Sequence, residues 1–204
     1  MHNTKPTTRR VLLSTADKSG LVCFAKQLSN LDYNCIATGN TAKLLKKNKI
    51  AVTEISDVTH FPELLNGRVK TLHPNIHAGI LARRGEDDDI LTQHQIKPID
   101  MIVVNLYPFE QTISKASCQF EEAIEKIDIG GPTLLRAAAK NHEHVTAITD
   151  PDDYGLIIDE LNKTGNISKK TRRQLALKVF QLTSHYDTII HRYLESQIGN
   201  TEHA

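Results

Sequence analysis

The sequence predicts an α/β fold, three layers (α/β/α) around a central, mainly parallel sheet, closed by one long carboxyl-terminal helix. Three observations predict it. Short apolar runs alternate with stretches of helical periodicity from Val11 onward. One run, Met101–Leu106, is apolar almost throughout, as in a strand buried on both faces of a parallel sheet. Past Pro151, apolar side chains recur at helical spacing as far as Tyr193.

The elements follow in order. Val11–Leu13 reads as a strand that breaks into the polar turn Ser14–Gly20, and Leu21, Phe24, Ala25 and Leu28 then mark a helix. Cys35–Ala37 is a second strand, with a turn at 38–41 and a helix over 41–48. Ala51–Ile55, Met101–Leu106 and Val145–Thr149 are three more strands. Crossover helices then lie on both faces, and ligands sit beyond the carboxyl ends of the strands. That singles out the loops 14–20, 38–41 and 105–109. The stretch 56–82 is weakly periodic, rich in Gly, His and basic residues, and too long for an idle connection. Leu175, Val179, Leu182, Tyr186, Ile189 and Tyr193 form the stripe of the last helix, expected over 172–194, which must pack on the domain or on a partner subunit.

At 204 residues the chain suits one domain over 1–204, with a core over about 10–150 and a helical extension over 151–196. Lys+Arg total 25 against 24 Asp+Glu. So even a balance offers no field for nucleic acid or a membrane surface, and any bound anion must be held by a local cluster. The cysteines, Cys23, Cys35 and Cys118, are odd in number and without CxxC spacing, which suits a reduced, intracellular protein. Met1–Arg10 carries no apolar stretch behind its polar, basic start, and Met101–Val104 is far too short to span a bilayer. A cytoplasmic protein is expected.

Three loops offer anion chemistry. Ser14 to Gly20, with Asp17 and Lys18, precedes a helix whose free amides and dipole favour an anion. Thr38, Gly39, Asn40 and Thr41 place two hydroxyls and a glycine in the same structural position. Arg68, Val69, Lys70 and Thr71 alternate so that an extended segment would point both cations one way. Any one of them alone reads better as an N-cap beside a solvated lysine; three at strand ends converging on one face favour a phosphate site.

Asp128-Ile129-Gly130-Gly131-Pro132 opens a helix that runs to Lys140. Asp128 reads either as a cap or as a positioned carboxylate beside exposed glycine amides. Lys140 lies about 12 Å along an ideal helix from Pro132, so the tertiary fold would have to bring it back to Asp128. Asn105 and Tyr107 end the fourth strand, where Tyr107 alternatively packs on Pro108. His73 and His77 have i, i+4 spacing but no zincin glutamate, so metal is not expected. Asp87–Asp89 reads as a solvated helix start.

Taken together, Asp17–Gly20, Gly67–Pro74, His77–Leu81, Asn105–Phe109, Asp128–Gly131, Leu134–Asn141, Thr171–Lys178 and Tyr186-Asp187 resemble one family, in order from about Arg10 to Tyr193. It is the amino-terminal half of the bifunctional purine-biosynthesis proteins, the inosine monophosphate (IMP) cyclohydrolase domain. The resemblance implies a methylglyoxal-synthase-like α/β fold. It also implies ring closure of 5-formamidoimidazole-4-carboxamide ribonucleotide to IMP without cofactor or metal, and a homodimer. By resemblance Lys18, Thr38, Gly39, Thr41, Arg68 and Thr71 hold the phosphate and neighbouring groups, with Ser14, Asp17, Asn40, Val69, Gly130 and Gly131 lining the same substrate site. Asn105, Asp128 and Ile129 meet the base, and Lys70, Tyr107, Asp128 and Lys140 surround the reacting atoms.

Asn40 departs from the family's second glycine in that loop, and His60 stands where the family commonly has Gly before Phe61. Asn is expected to tolerate a left-handed backbone there. The family's second half, a formyltransferase using a reduced folate, does not fall within these 204 residues, so the chain is either a domain of a longer protein that carries it or a free-standing cyclohydrolase. Two other readings share the fold, methylglyoxal synthase and a catalytically silent nucleotide-sensing domain. Neither would need the base-contacting surface of Asn105, Tyr107 and Asp128.

Overall fold

The structure, a computed structural model, describes residues 8–201. The strands are β1 (Arg9–Ser14), β2 (Tyr33–Ala37), β3 (Val52–Glu54), β4 (Met101–Val104) and β5 (Thr146–Ile148). They form one sheet in the order β3-β2-β1-β4-β5, every pairing parallel. The helices are α1 (Leu21–Asn30), α2 (Gly39–Lys47), α3 (Ile55–Thr59), α4 (Pro74–Leu81), α5 (Asp88–Gln93), α6 (Phe109–Ile113), α7 (Phe120–Glu125), α8 (Gly130–Lys140), α9 (Tyr154–Thr164) and α10 (Lys169–Thr201). Each expected strand is present within a residue or two, except that Asn105 and Leu106 have left the sheet.

Strand alternation divides the core. Val11 and Leu13 of β1, with Met101 and Val103 of β4, pack under α1 and α9. Leu12, Ile102 and Val104 face α4, α8 and the first half of α10 on the other side. A strand with both sets buried must be apolar throughout, which is the origin of the Met-Ile-Val-Val run.

The long helix starts earlier and runs further than 172–194. Its stripe packs on its own domain: Leu175 joins one core face, Val179 the other, and Tyr186 a third cluster with Phe109 and Ala123. That stripe is therefore no argument for a partner subunit. Leu177, Phe180 and Ile198 are the large apolar side chains of α10 left exposed.

Within 56–82, Pro74 takes the first turn of α4 and His73 caps it, its side chain accepting a bond from Asn75 N. Among the described residues no three His, Cys, Asp or Glu side chains gather as a metal site. Asp87 starts α5 as expected and also pairs with Arg83, which holds its carboxyl down at about 2. No helix of the described residues is long and apolar enough to cross a membrane.

Candidate active site

An all-parallel sheet puts every strand's carboxyl end on one edge, so the loops after β1, β2 and β4 must meet there. They do, through named bonds. Ser14 Oγ and Thr38 Oγ1 share a hydrogen bond of 2.9 Å, joining the ends of β1 and β2. Thr15 N donates to Thr41 Oγ1 at 3.3 Å. Asn105 Oδ1 accepts from Ala16 N and Asp17 N at 2.6 and 2.9 Å, and its Nδ2 donates to Asp17 O. The first amides of α2 lie at this edge behind Thr38, whose side chain does not cap them.

Asn105 is thus a brace. Both acceptor positions of its carbonyl are used on the 14–20 loop, and one amide hydrogen remains for a substrate base. Lys18 folds back on the same loop, donating to Thr15 O at 2.8 Å. We expect Asn105→Ala to unpair two backbone amides, costing roughly 1–3 kcal/mol. It should also raise KM more than it lowers kcat; paired thermal melts and steady-state kinetics would show both.

Asp128 sits at the start of α8, beside the end of β4. Its Oδ1 accepts from Gly131 N at 2.8 Å, and its own backbone amide donates to the Tyr186 hydroxyl at 2.8 Å. Its carboxylate bonds the first turn of α8 and is half-buried. Burial raises its carboxyl above the ordinary value, against the Gly131 bond and the Lys70 charge that pull it down. The two glycines let neighbours close in. A Cβ on Gly131 would lie 2.5 Å from Asp128 Oδ2 and 2.8 Å from Leu106, and one on Gly130 would lie 2.9 Å from Thr71 Oγ1. Thr71, buried, is thereby brought against the helix start that carries Asp128 and Ile129.

The segment 68–71 is not extended, and this corrects the expected alternation. The bridge Leu64–Val69 closes a tight loop, and Arg68 follows the turn Leu65–Gly67 with φ −65 and ψ −29. Arg68 pairs with Glu125 of α7, while Lys70 lies 3.9 Å from Glu63, with its charge still acting to lower the Asp128 carboxyl. The two cations answer to different carboxylates. Tyr107 is 54% exposed at the same edge.

Lys140 is not brought to this cluster within one chain. The helix α8 is unbroken, and Gly131 abuts Leu106 just past the carboxyl end of β4. Asn141, next to Lys140, instead donates to Ile80 O and Ala82 O, beside the segment that enters β4. The ends of α8 stand roughly 15 Å apart, more than a lysine side chain spans.

The left-handed residue of the 38–41 turn is Gly39, with φ +37; Asn40 is not among the residues with positive φ, so the expected left-handed Asn is not needed. His60 has φ +53 and ends α3, which is why glycine suits that place. A groove of about 920 Å³ lies at the opposite sheet edge, but its Arg10, Arg84 and Asp100 are already bonded to one another or to backbone carbonyls. The chemistry therefore points to the carboxyl edge.

Fold and strand-end site define a class, and the chain belongs to it: residues 20–133 match the MGS-like domain family. Residues 138–204 match a second family, the AICARFT/IMPCHase bienzyme. The chain is 53% identical over 195 residues to the bifunctional purine biosynthesis protein PurH of Anoxybacillus flavithermus, covering 95% of this chain and 38% of that protein. It is 50% identical to PurH of Bacillus subtilis, covering 96% of this chain and 39% of that protein. It thus spans under two-fifths of the length of these relatives. A solved structure described as the crystal structure of ForH superposes with a TM-score of 0.80 at 34% identity, covering 91% of this chain and 98% of that one.

Proposed function

We propose that this chain is an IMP cyclohydrolase of de novo purine biosynthesis, closing 5-formamidoimidazole-4-carboxamide ribonucleotide to IMP with loss of water. The observation that carries the reading is Asp128, half-buried, within reach of the Lys70 charge and held at a helix start beside three converging strand-end loops. The arrangement supplies what the chemistry needs. An amide nitrogen is a poor nucleophile, so the carboxamide and the formyl group must be held together and the proton moved as the bond forms. With Oδ1 bonded to Gly131, Asp128 accepts the attacking amide's hydrogen through Oδ2. A carboxylate raised by burial is a better base than an ordinary one. Lys70 and Tyr107 stabilise the oxyanion on the formyl carbon; that oxygen takes up two protons and leaves as water while the ring C=N bond forms, balanced by the one proton lost from the attacking amide and the one lost from the formamide nitrogen. The hydroxyls of Ser14, Thr38, Thr41 and Thr71, with the amides of Gly39 and Asn40 and the cations Lys18 and Arg68, serve the ribotide phosphate. No cofactor enters these steps, and a cytoplasmic location suits them.

Lys140 belongs to the reaction only through a second copy. On α8, Ile129, Thr133, Arg136 and Lys140 follow one another at i, i+4, i+7 and i+11, a single face. Beside it Arg136 lies over Phe180 at 5.5 Å, and Phe180 and Leu177 of α10 are 42% and 60% exposed. An isologous homodimer that paired α8 antiparallel with its copy would carry Lys140 to the Gly130 end of the other chain. There it would deliver the proton to the departing water.

The deciding assay is purified chain with the formylated ribotide, following IMP in the ultraviolet. We expect turnover of the ribotide by this chain alone, and no elimination of phosphate from dihydroxyacetone phosphate to give methylglyoxal. A folded chain that binds IMP without turning the ribotide over would instead be a nucleotide sensor.

A further inference from the structure

The long carboxyl-terminal helix reaches the site. Tyr186 lies midway along α10, only 6% exposed, with its ring edge-on to Phe109 at 6.2 Å. Phe109 is itself buried and meets Tyr193 edge-on from the next turns of the same helix. The ring is therefore fixed by packing, and its hydroxyl accepts the backbone N–H of Asp128 at 2.8 Å. Asp128 stands in the short connection between α7 and α8, outside any helix or strand. Among the described residues, the Tyr186 hydroxyl is the partner its amide has. The other end of the residue is tied through Oδ1 to Gly131 N.

We infer that Tyr186 is a positioning residue for Asp128, setting the carboxylate at the angle ring closure requires. The inference rests on the cyclohydrolase reading above. Two anchors, one on the backbone and one on a carboxylate oxygen, leave Oδ2 as the atom free to work. Phenylalanine would fill the same space and preserve the contact with Phe109, but would leave the Asp128 amide without its acceptor. A reacting group displaced by an ångström can lose about a hundredfold in rate, so a partial release should cost about tenfold. This also gives α10 a role beyond closing the core: it ties the last element of the fold to the group that does the chemistry.

The test compares Tyr186→Phe with Tyr193→Leu, which loosens the same apolar cluster without touching Asp128. Both are assayed well below their melting midpoints. For Tyr186→Phe we expect kcat about tenfold lower and KM within about twofold of wild type. Hydrogen exchange should quicken in the segment 126–131 and little elsewhere. Tyr193→Leu should melt earlier yet keep kcat within about twofold. Wild-type kcat in Tyr186→Phe, or an equal loss of kcat in Tyr193→Leu, would overturn the inference. Should the phenylalanine variant not fold, Tyr186→Met, similar in bulk and equally without the hydroxyl, takes its place. If the wild-type chain shows no turnover, the functional reading falls by itself. The exchange experiment then judges the tether alone, and unchanged exchange at 126–131 rejects it.

Discussion

Asp128→Asn is expected to cut kcat for ring closure by about 10³-fold, while the folded chain at pH 7 remains as stable as wild type or becomes more so. The loss of rate follows from removing the half-buried carboxylate within reach of the Lys70 charge at this edge. An amide side chain keeps the Oδ1 acceptor for Gly131 N, so the helix start stays capped. The effect on stability follows from the direction of the shift. Burial raises the Asp128 carboxyl in the folded chain above its unfolded value, so the ionised form is less favourable folded than unfolded. Below the unfolded value the group is protonated in both states and contributes nothing. The penalty grows as pH rises between the two values and is complete above the folded one. The substituted amide, which does not ionise, carries no such penalty. The variant's melting temperature should therefore match or exceed wild type at pH 7, and the difference should shrink towards pH 3. A variant clearly less stable at pH 7, or one keeping wild-type kcat, would remove Asp128 from its role as base.

Much of this architecture was legible in the residues, and what was not fails for identifiable reasons. Strands such as Met101–Val104 declare themselves because burial on two faces leaves no freedom of composition. The strand-end loops were legible because parallel topology dictates where they gather. Local pattern misled at Arg68-Val-Lys70, where alternation implies a shared direction only if the chain is extended, and the Leu64–Val69 bridge bends it instead. Glu125, the partner of Arg68, lies 57 residues away and carries no local signal. That Asn105 also satisfies the neighbouring loop's backbone carried no signal, since an amide at a strand end reads the same whether or not it braces a loop. Tyr186 shows itself in the sequence as part of a helix stripe and of the family resemblance, and neither says what its hydroxyl meets. A buried tyrosine needs a partner for its hydroxyl, and asking which group that was would have pointed towards the loops it could reach.

The last expectation concerns Lys140, which helix geometry separates from Asp128 by more than its own length. If it acts across a homodimer, Lys140→Ala and Asp128→Asn should each be nearly inactive alone, and each should damage a different half of a shared site. Mixed and allowed to exchange subunits, the two variants form hybrid dimers as half of the population. In a hybrid, one site receives both defects and the other has an intact Asp128 from one chain and an intact Lys140 from its partner. About a quarter of wild-type activity should then return, with no change in either sequence. The regained rate should vanish on dilution below the dimer's dissociation range, whereas activity housed within single chains would persist. Sedimentation run in parallel fixes which species is present. Three outcomes separate the readings. Regained activity supports the shared site. Two inactive variants that stay inactive when demonstrably hybrid show that Lys140 acts on its own chain after a rearrangement of α8. Near-normal turnover by Lys140→Ala alone removes the lysine from the reaction and leaves Asp128, Lys70 and Tyr107 to carry it.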